Sequence, residues 1–497
     1  MPQSLRARLT RIRNAREQDS GKDSSSSSHE STEAQRKKFN LQTERIAPCF
    51  GVLGERNLGK DFSTWHESGC KVLRRTLILP FALPAILPQA LPWLLPDLSR
   101  NQQAAGALSG NGNFSVTLPD MDKFLFFDLE TTGLSGGAGT VAFLAAFGRF
   151  IRKPDGIGVP AEKAQKKIHA IKQQQDYTHL EVTQFLLLDY PGESDFLAQT
   201  LSFISSPAEA NPYFLTTYNG KAFDIPLLKT RCLMNGLTLP RFFQLDLLHP
   251  ARRLWKRMLP SCSQAVVETH VLGLDRTGDT PGSMAPDIWF NFLRSGEGFS
   301  DVGQGSEASR ALLEICEHNV KDIFGLASLF RSFTEIAASP LDAAERFNVD
   351  EENLAVHWRR HLFRQKPEKN TEFCETKSQA YWPDQKKTTT LLLEAAAKNY
   401  PRSCLRLGFD LFRQGCYKEG RVTLKRIVTE ASWKVPCTAA IKAMALRSLA
   451  IDAQRRLGHR DLALVYIEQT LTLVPSLPAG LREDLEMRHK RLKYDKM

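Results

Sequence analysis

The chain has 497 residues, 42% hydrophobic and 24% charged, the balance of a globular protein with room for two or three cored units. That composition excludes a wholly disordered, fibrous or multi-span membrane protein. Lys and Arg outnumber Asp and Glu by 66 to 55, and the resulting +11 favours nucleic acid or another polyanion as partner. Residues 1–40 are polar, carry a serine run at Ser24–Ser28, and are expected to be disordered. The first residues lack the apolar stretch of a secretory signal. The nine cysteines are spread singly from Cys49 to Cys437 without a C-x-x-C or zinc-spaced cluster, which fits reduced thiols and a cytoplasmic location. Residues 41–118 read as an irregular proline-rich arm and linker. Within them GERNLGK (Gly54 to Lys60) has phosphate-loop spacing, but Asp61 follows where Ser or Thr is needed and no buried strand precedes. Thr76 to Pro96 is apolar, yet proline recurs at 80, 84, 88, 92 and 96 and would break a spanning helix. This stretch reads as an extended arm laid on a protein surface, not a membrane segment.

Regular elements begin near Lys123. FLFFDLE, VAFLAAFGRF and VTQFLLLDY read as three successive strands, with LSGGAGT as the turn between the first two and a basic insertion from Ile151 to Thr178. SDFLAQTLSFI reads as a helix, YFLTTYNG as strand and turn, FDIPLLKTRCLMNG as a helix ended by glycine, and FFQLDLL as a fifth strand. Helices follow, the last being ARALLEICEHNVKDIFGLASLFRSF. Strands in succession, then alternation, then helices make an α/β layer fold with a mixed sheet flanked by helices over 119–334. Residues 335–387 read as a charged, proline-containing connection with one helix at EENLAVHWRRHLF.

Residues 388–497 read as all-helical with an internal repeat that places Gly415 opposite Gly458. Each copy has the small-residue turn and amphipathic partner helix of a tetratricopeptide (TPR) unit; Ala463 and Pro475 fall at the expected offsets, and Gly420 stands where alanine is usual. From Lys387 to Met497 there are 21 Lys/Arg against 11 Asp/Glu, a surplus of +10 and nearly the whole of the chain's charge. This tail is either a polyanion-facing surface or a solvated face.

Four carboxylates sit where a metal-dependent hydrolase needs them. Asp128 and Glu130, two apart on a strand, share a face at its exit. Asp224 opens a helix, and Asp322 lies on a long helix with His318 one turn earlier on the same face. Oxygen ligands of this kind suit Mg²⁺ or Mn²⁺. Taken singly, the acids also fit ordinary capping and pairing roles. HPARRLWKRM, His249 to Met258, reads either as phosphate contacts with a stacking Trp255 or as a helix with Leu254 and Trp255 packed inward. Asp246, just before it, is a candidate supporting acid.

FDLETTG, YNGKAFD and HNVKD, in that order, resemble the three motifs of the DEDD exonucleases of the RNase H-like superfamily. The stretch from about 123 to 333 resembles the bacterial YprB-type RNase H-like domain, in which a TPR-like C-terminal region follows. The resemblance implies a 3′–5′ exonuclease acting on a single-strand end of DNA or RNA. It implies two divalent ions held by Asp128, Glu130, Asp224 and Asp322, with His318 orienting or deprotonating the attacking water. Asn219 belongs to the second motif, and Thr131, Thr132 and Leu134 would line the terminal-nucleotide pocket. The third motif departs from the pattern. One subclass has tyrosine four residues before the last Asp and the other histidine five before; here His318 stands four before and Glu317 five. The competing reading is a catalytically silent RNase H-like fold serving a TPR-like scaffold, with a protein partner docking on the tail.

Overall fold

The structure, a computed structural model, describes residues 64–83, 86–98, 118–133, 139–152, 177–206, 212–274, 276–296, 306–364, 375–473 and 477–494. The N-terminal 40 residues, GERNLGK, most of the basic insertion, Leu134 and Pro475 lie outside the described residues. The chain divides into two compact units, residues 1–339 with 346–348, and residues 340–345 with 349–497.

The first unit is built on a seven-stranded mixed sheet of order β1-β2-β5-β4-β3-β6-β7. The five expected strands are β3 (Phe124–Thr131), β4 (Ala142–Ile151), β5 (Tyr177–Leu187), β6 (Phe214–Thr217) and β7 (Phe243–Asp246). β3, β4 and β5 pair antiparallel, whereas β6 runs parallel to both β3 and β7. The two outermost strands on one side, β1 (His66–Gly69) and β2 (Val72–Leu83), come from the segment expected to be an irregular arm. β2 pairs antiparallel with β5 along its whole length, so the arm extends the sheet. Its prolines are accommodated by position. Pro80 sits on an edge and beside a register shift, where no ladder N–H is required. Pro92 falls in the first turn of the short helix Leu91–Leu94, where a missing N–H costs nothing. Leu91, Trp93, Leu94, Leu95 and Leu98 are buried. No helix among the described residues is long and apolar enough to cross a membrane.

The sheet is covered on both faces. Leu125, Phe127 and Leu129, alternate residues of β3, cluster with Phe196, Leu197 and Leu201 of α1 (Glu193–Ile204) and with Ile225 and Leu228 of α2 (Asp224–Met234). The intervening Phe124 and Phe126 turn to the other face, where both rings meet Phe330. Phe330 belongs to a 32-residue helix, Glu307–Ala338, capped by Ser306 Oγ accepting from the Ser309 amide. That helix, numbered α5 after α3 (Leu248–Trp255) and α4 (Ala285–Ser295), crosses β3, β4 and β5. It lies close because β4 offers Gly148 beneath it; a Cβ there would stand 2.5 Å from Ile323 Cγ2. Asp128 and Glu130, in phase with Phe124 and Phe126, are thereby aimed at α5.

The second unit is all helical, in α6 (Glu351–Arg364), α7 (Glu375–Asn399), α8 (Pro401–Arg413), α9 (Tyr417–Thr429), α10 (Ala439–Arg455), α11 (Arg460–Leu471) and α12 (Ala479–Tyr494). It begins inside the stretch expected to be a connection. The reason is packing: Glu352 of α6 accepts from the Ser403 amide of α8, and Arg359 pairs with Asp410. Gly415 and Gly458 both adopt left-handed backbone, φ +83° and +68°, between the helices of successive hairpins. At Gly420 a Cβ would collide with Phe412 Cδ1, which leaves no room for the alanine methyl expected from the repeat pattern.

Candidate metal centre

The carboxylates of β3 sit where the strand leaves the sheet. Asp128 lies opposite Ala146 and Glu130 opposite Leu144, and the ladder slips immediately after Glu130. Asp128 is half-buried and Glu130 is 9% exposed. Across from them α5 presents His318, Asn319 and Asp322 at i, i+1 and i+4. Asn319 Nδ2 donates to Asp128 Oδ2 at 2.7 Å, and His318 Nε2 stands 3.2 Å from Asp322 Oδ2. Donor atoms of Glu130, His318 and Asp322 all lie within 4.8 Å of one another. His318, anticipated from the sequence as a base, thus belongs to the tightest cluster. Glu317 points elsewhere and pairs with Lys321 at 3.2 Å.

Asp224 opens α2 behind a tight turn. Asp246, at the end of β7, accepts from the amides of Asn219, Lys221 and Leu248, and so fixes that turn. Asp246 is therefore committed to backbone N–H groups. Asn219 itself holds a left-handed φ of +68°. At Gly220 a Cβ would come within 2.6 Å of Thr217 Oγ1, so this position requires glycine. Lys221 pairs with Asp97 at 2.6 Å, tying the turn to the segment after the proline-rich strand.

Two residues of the site carry no sequence signal. Arg276 and Asp279 come from the loop before α4. Arg276 bonds Asp322 Oδ1 at 2.7 Å, Asp279 Oδ2 at 3.0 Å and the fully buried Glu268. Asp279 in turn meets His318 Nδ1 at 2.7 Å and Lys321 at 3.2 Å. The same loop brings Gly282 against the imidazole, leaving 3.1 Å between a Cβ there and His318 Nε2. Two of the pocket threonines are already engaged: Thr131 Oγ1 donates to the Gly133 carbonyl and Thr132 Oγ1 accepts from the Val141 amide. Trp255 is buried, with its Nε1 donating to the Phe347 carbonyl, so HPARRLWKRM packs inward and its tryptophan is not a stacking platform.

The electrostatics describe an under-compensated acidic site. Burial raises the Asp128 carboxyl well above its usual value, and Asp322, Asp224 and Glu130 raise it further. Glu130 is raised by burial and then by Asp322, Asp224 and Asp279. Burial pushes Asp224 to about 7, and likewise Glu268 to about 7 against the opposing pull of Arg276. Burial works against a charged His318, but Asp322 and Asp279 outweigh it and raise the imidazole above its ordinary value. Burial would raise Asp279, yet His318, Lys321 and Arg276 together hold it well below the carboxylate range. Clustered hard oxygen donors with one imidazole, carrying uncompensated negative charge, suit a divalent cation.

These directions set how stability should depend on pH. A group raised in the folded state contributes stability that is present below its unfolded value and lost as pH rises through the folded one. For Asp224 and Glu268 that window runs from the ordinary carboxyl values, 3.8 and 4.5, up to about 7. His318 acts in the same sense, and Asp279 opposes it only below the ordinary carboxylate range. Without divalent cations the melting temperature should therefore fall between about pH 5 and about pH 8. Saturating Mn²⁺ at the higher pH should raise it by about 5–10 °C. A melting temperature indifferent to both would contradict this description of the site.

Residues 125–334 match the family model of the RNase_H superfamily. The chain is also 37% identical over 212 residues to the uncharacterized protein YprB of Bacillus subtilis (strain 168). That match covers 42% of this chain and 41% of the relative's length, so it spans less than half of each protein.

Proposed function

With an RNase H superfamily domain as its scaffold, we propose that the first unit is a divalent-metal-dependent nuclease of DEDD type, releasing nucleotides from the 3′ end of a strand. The observation that carries this reading is the meeting of Glu130, His318 and Asp322 within 4.8 Å. Asp128 and Asp224 are coupled electrostatically to the same group. Two divalent ions, when bound by the four carboxylates, would offset their charge, polarise the scissile phosphodiester and make water nucleophilic near neutral pH.

The chain's own residues divide the remaining work. Asn319 and Arg276 hold Asp128 and Asp322 by one oxygen each, and the other oxygen of Asp322 faces His318 Nε2. Asp279 engages His318 Nδ1, which fixes the proton there and leaves Nε2 as the acceptor once the ring is neutral. The imidazolium is favoured while Asp322 and Asp279 face it uncompensated; cations beside Asp322 oppose that effect and favour the base form. His318 Nε2 then takes the proton of the attacking water and can return it to the leaving oxygen.

The test is product analysis. Single strands labelled at either end and a covalently closed circle are incubated with the protein and Mn²⁺. Mononucleotides from the 3′ end and an intact circle are expected; cleavage of the circle would make the enzyme an endonuclease. Paired DNA and RNA strands in the same assay identify the sugar it accepts.

One observation favours the scaffold reading instead: Arg276 already places a cation on Asp322. Failure to bind Mn²⁺ would decide for the scaffold. The +10 of residues 387–497 gives the tail a strand-holding role in our reading. Shortening the chain after Lys386 should weaken strand binding and flatten its salt dependence, by about one unit of log–log slope for each phosphate that the tail neutralises. An unchanged slope would assign the tail to a protein partner.

A further inference from the structure

A row of side chains crosses four strands to reach Asp128. In register, Arg75 of β2 stands opposite Gln184 of β5, Gln184 opposite Ala146 of β4, and Ala146 opposite Asp128 of β3. All four therefore share the face that α5 covers. Ala146 has no reach of its own, and Asn319 of α5 fills the gap. Arg75 Nε donates to Gln184 Oε1 at 2.7 Å, Gln184 Nε2 to Asn319 Oδ1 at 2.8 Å, and Asn319 Nδ2 to Asp128 Oδ2 at 2.7 Å. Gln184 Nε2 also donates to the Cys316 carbonyl at 2.9 Å. Arg75, Gln184 and Asn319 are each 0% exposed, so no water competes for these groups.

The direction of the row is not arbitrary. Arginine has N–H donors and no acceptor, so Gln184 must turn its carbonyl oxygen to Arg75 and its NH₂ away. The NH₂ of Gln184 then requires an oxygen from Asn319, which leaves only the Asn319 NH₂ to face Asp128. Trp65 stacks on the Arg75 guanidinium, 4.6 Å from ring centroid to Cζ, and holds its position.

We infer that Arg75, Gln184 and Asn319 form a hydrogen-bond relay of fixed polarity that always presents a donor to one oxygen of Asp128 and keeps its other oxygen oriented for a divalent cation. The inference rests on the metal-dependent reading above. It also reaches beyond the family match, because Arg75 and Trp65 precede residue 125, where that match begins. These are positioning residues: none is required to touch substrate. Partners of this kind typically change metal affinity about 10–100-fold.

The test uses the full chain, with Mn²⁺ affinity read by calorimetry or electron spin resonance, the metal-free melting temperature, and kcat and KM on a labelled strand. Gln184→Glu keeps the side-chain volume and pairs with Arg75, but removes the donor that sets the Asn319 amide. It also leaves the Cys316 carbonyl without its donor, so the metal-free melting temperature should fall by a few degrees with the chain still folded, while Mn²⁺ affinity drops about 10-fold, with kcat falling and KM little changed. Asn319→Leu should give a larger loss of the same kind, and Asn319→Ser serves if the leucine variant fails to fold. Unchanged Mn²⁺ affinity in folded Gln184→Glu would overturn the relay, as would a loss strictly proportional to lost stability. If the parent binds Mn²⁺ and responds to these variants but cleaves no strand, the nuclease reading fails and the relay stands. If the parent binds no Mn²⁺, both fail.

Discussion

Asp128→Ala should lower strand hydrolysis by about 10³-fold or more while leaving the domain folded. The carboxylate lies in the second half of β3, and the charges of Asp322, Asp224 and Glu130 each raise its pKa beyond what burial does. Removing it takes away a proposed cation ligand and also relieves that repulsion. The Asn319 amide loses its acceptor, at a cost of about 1–3 kcal/mol, which the relieved repulsion offsets in the absence of cations. The metal-free melting temperature should thus stay within a few degrees of the parent's, whereas the stabilisation by Mn²⁺ should shrink. Hydrolysis at the parental rate would remove Asp128 from the site. Loss of activity together with loss of the fold would make its role structural.

The second large effect concerns His318. His318→Ala should lower turnover by about 10²–10⁴-fold, while Glu317→Ala leaves it nearly unchanged. The helix separates the two neighbours by about 100°. His318 reaches Asp322 and Asp279, whereas Glu317 spends its charge on Lys321. The acid limb of the parent's pH–rate profile should report the imidazole, which cations beside Asp322 hold below its metal-free position, and should vanish in His318→Ala. A parental rate and limb in that variant would leave water activation to the bound ions alone.

Much of the sheet was legible because β3 to β7 are short apolar runs, and FLFFDLE alone announces both faces of β3 and the two acids in phase with Phe124 and Phe126. β1 and β2 were not legible. Proline recurrence correctly excludes a spanning helix, but it does not say that Pro80 would fall on an edge and Pro92 in a first turn. The helix EENLAVHWRRHLF was legible, but its anchoring, Glu352 to Ser403, was not, because that contact joins residues 51 apart. In the site, the motif spacing singles out Asp128, Glu130, Asp224, His318 and Asp322. Arg276 and Asp279 belong to an aperiodic loop, where no pattern marks a residue that closes on a helix 39 to 46 positions later. The Asn319 role is invisible in one dimension, since it depends on Ala146 being small and on Arg75 lying opposite Gln184.

The most direct test of the central claim is hydrolysis of a 3′-labelled single strand by the full chain, measured in excess chelator and again after Mn²⁺ is restored. A two-metal nuclease should release no labelled nucleotide in chelator, recover fully with Mn²⁺, and show no recovery in Asp128→Ala. Equal release with and without chelator, or no release by the parent under any divalent cation, would contradict it.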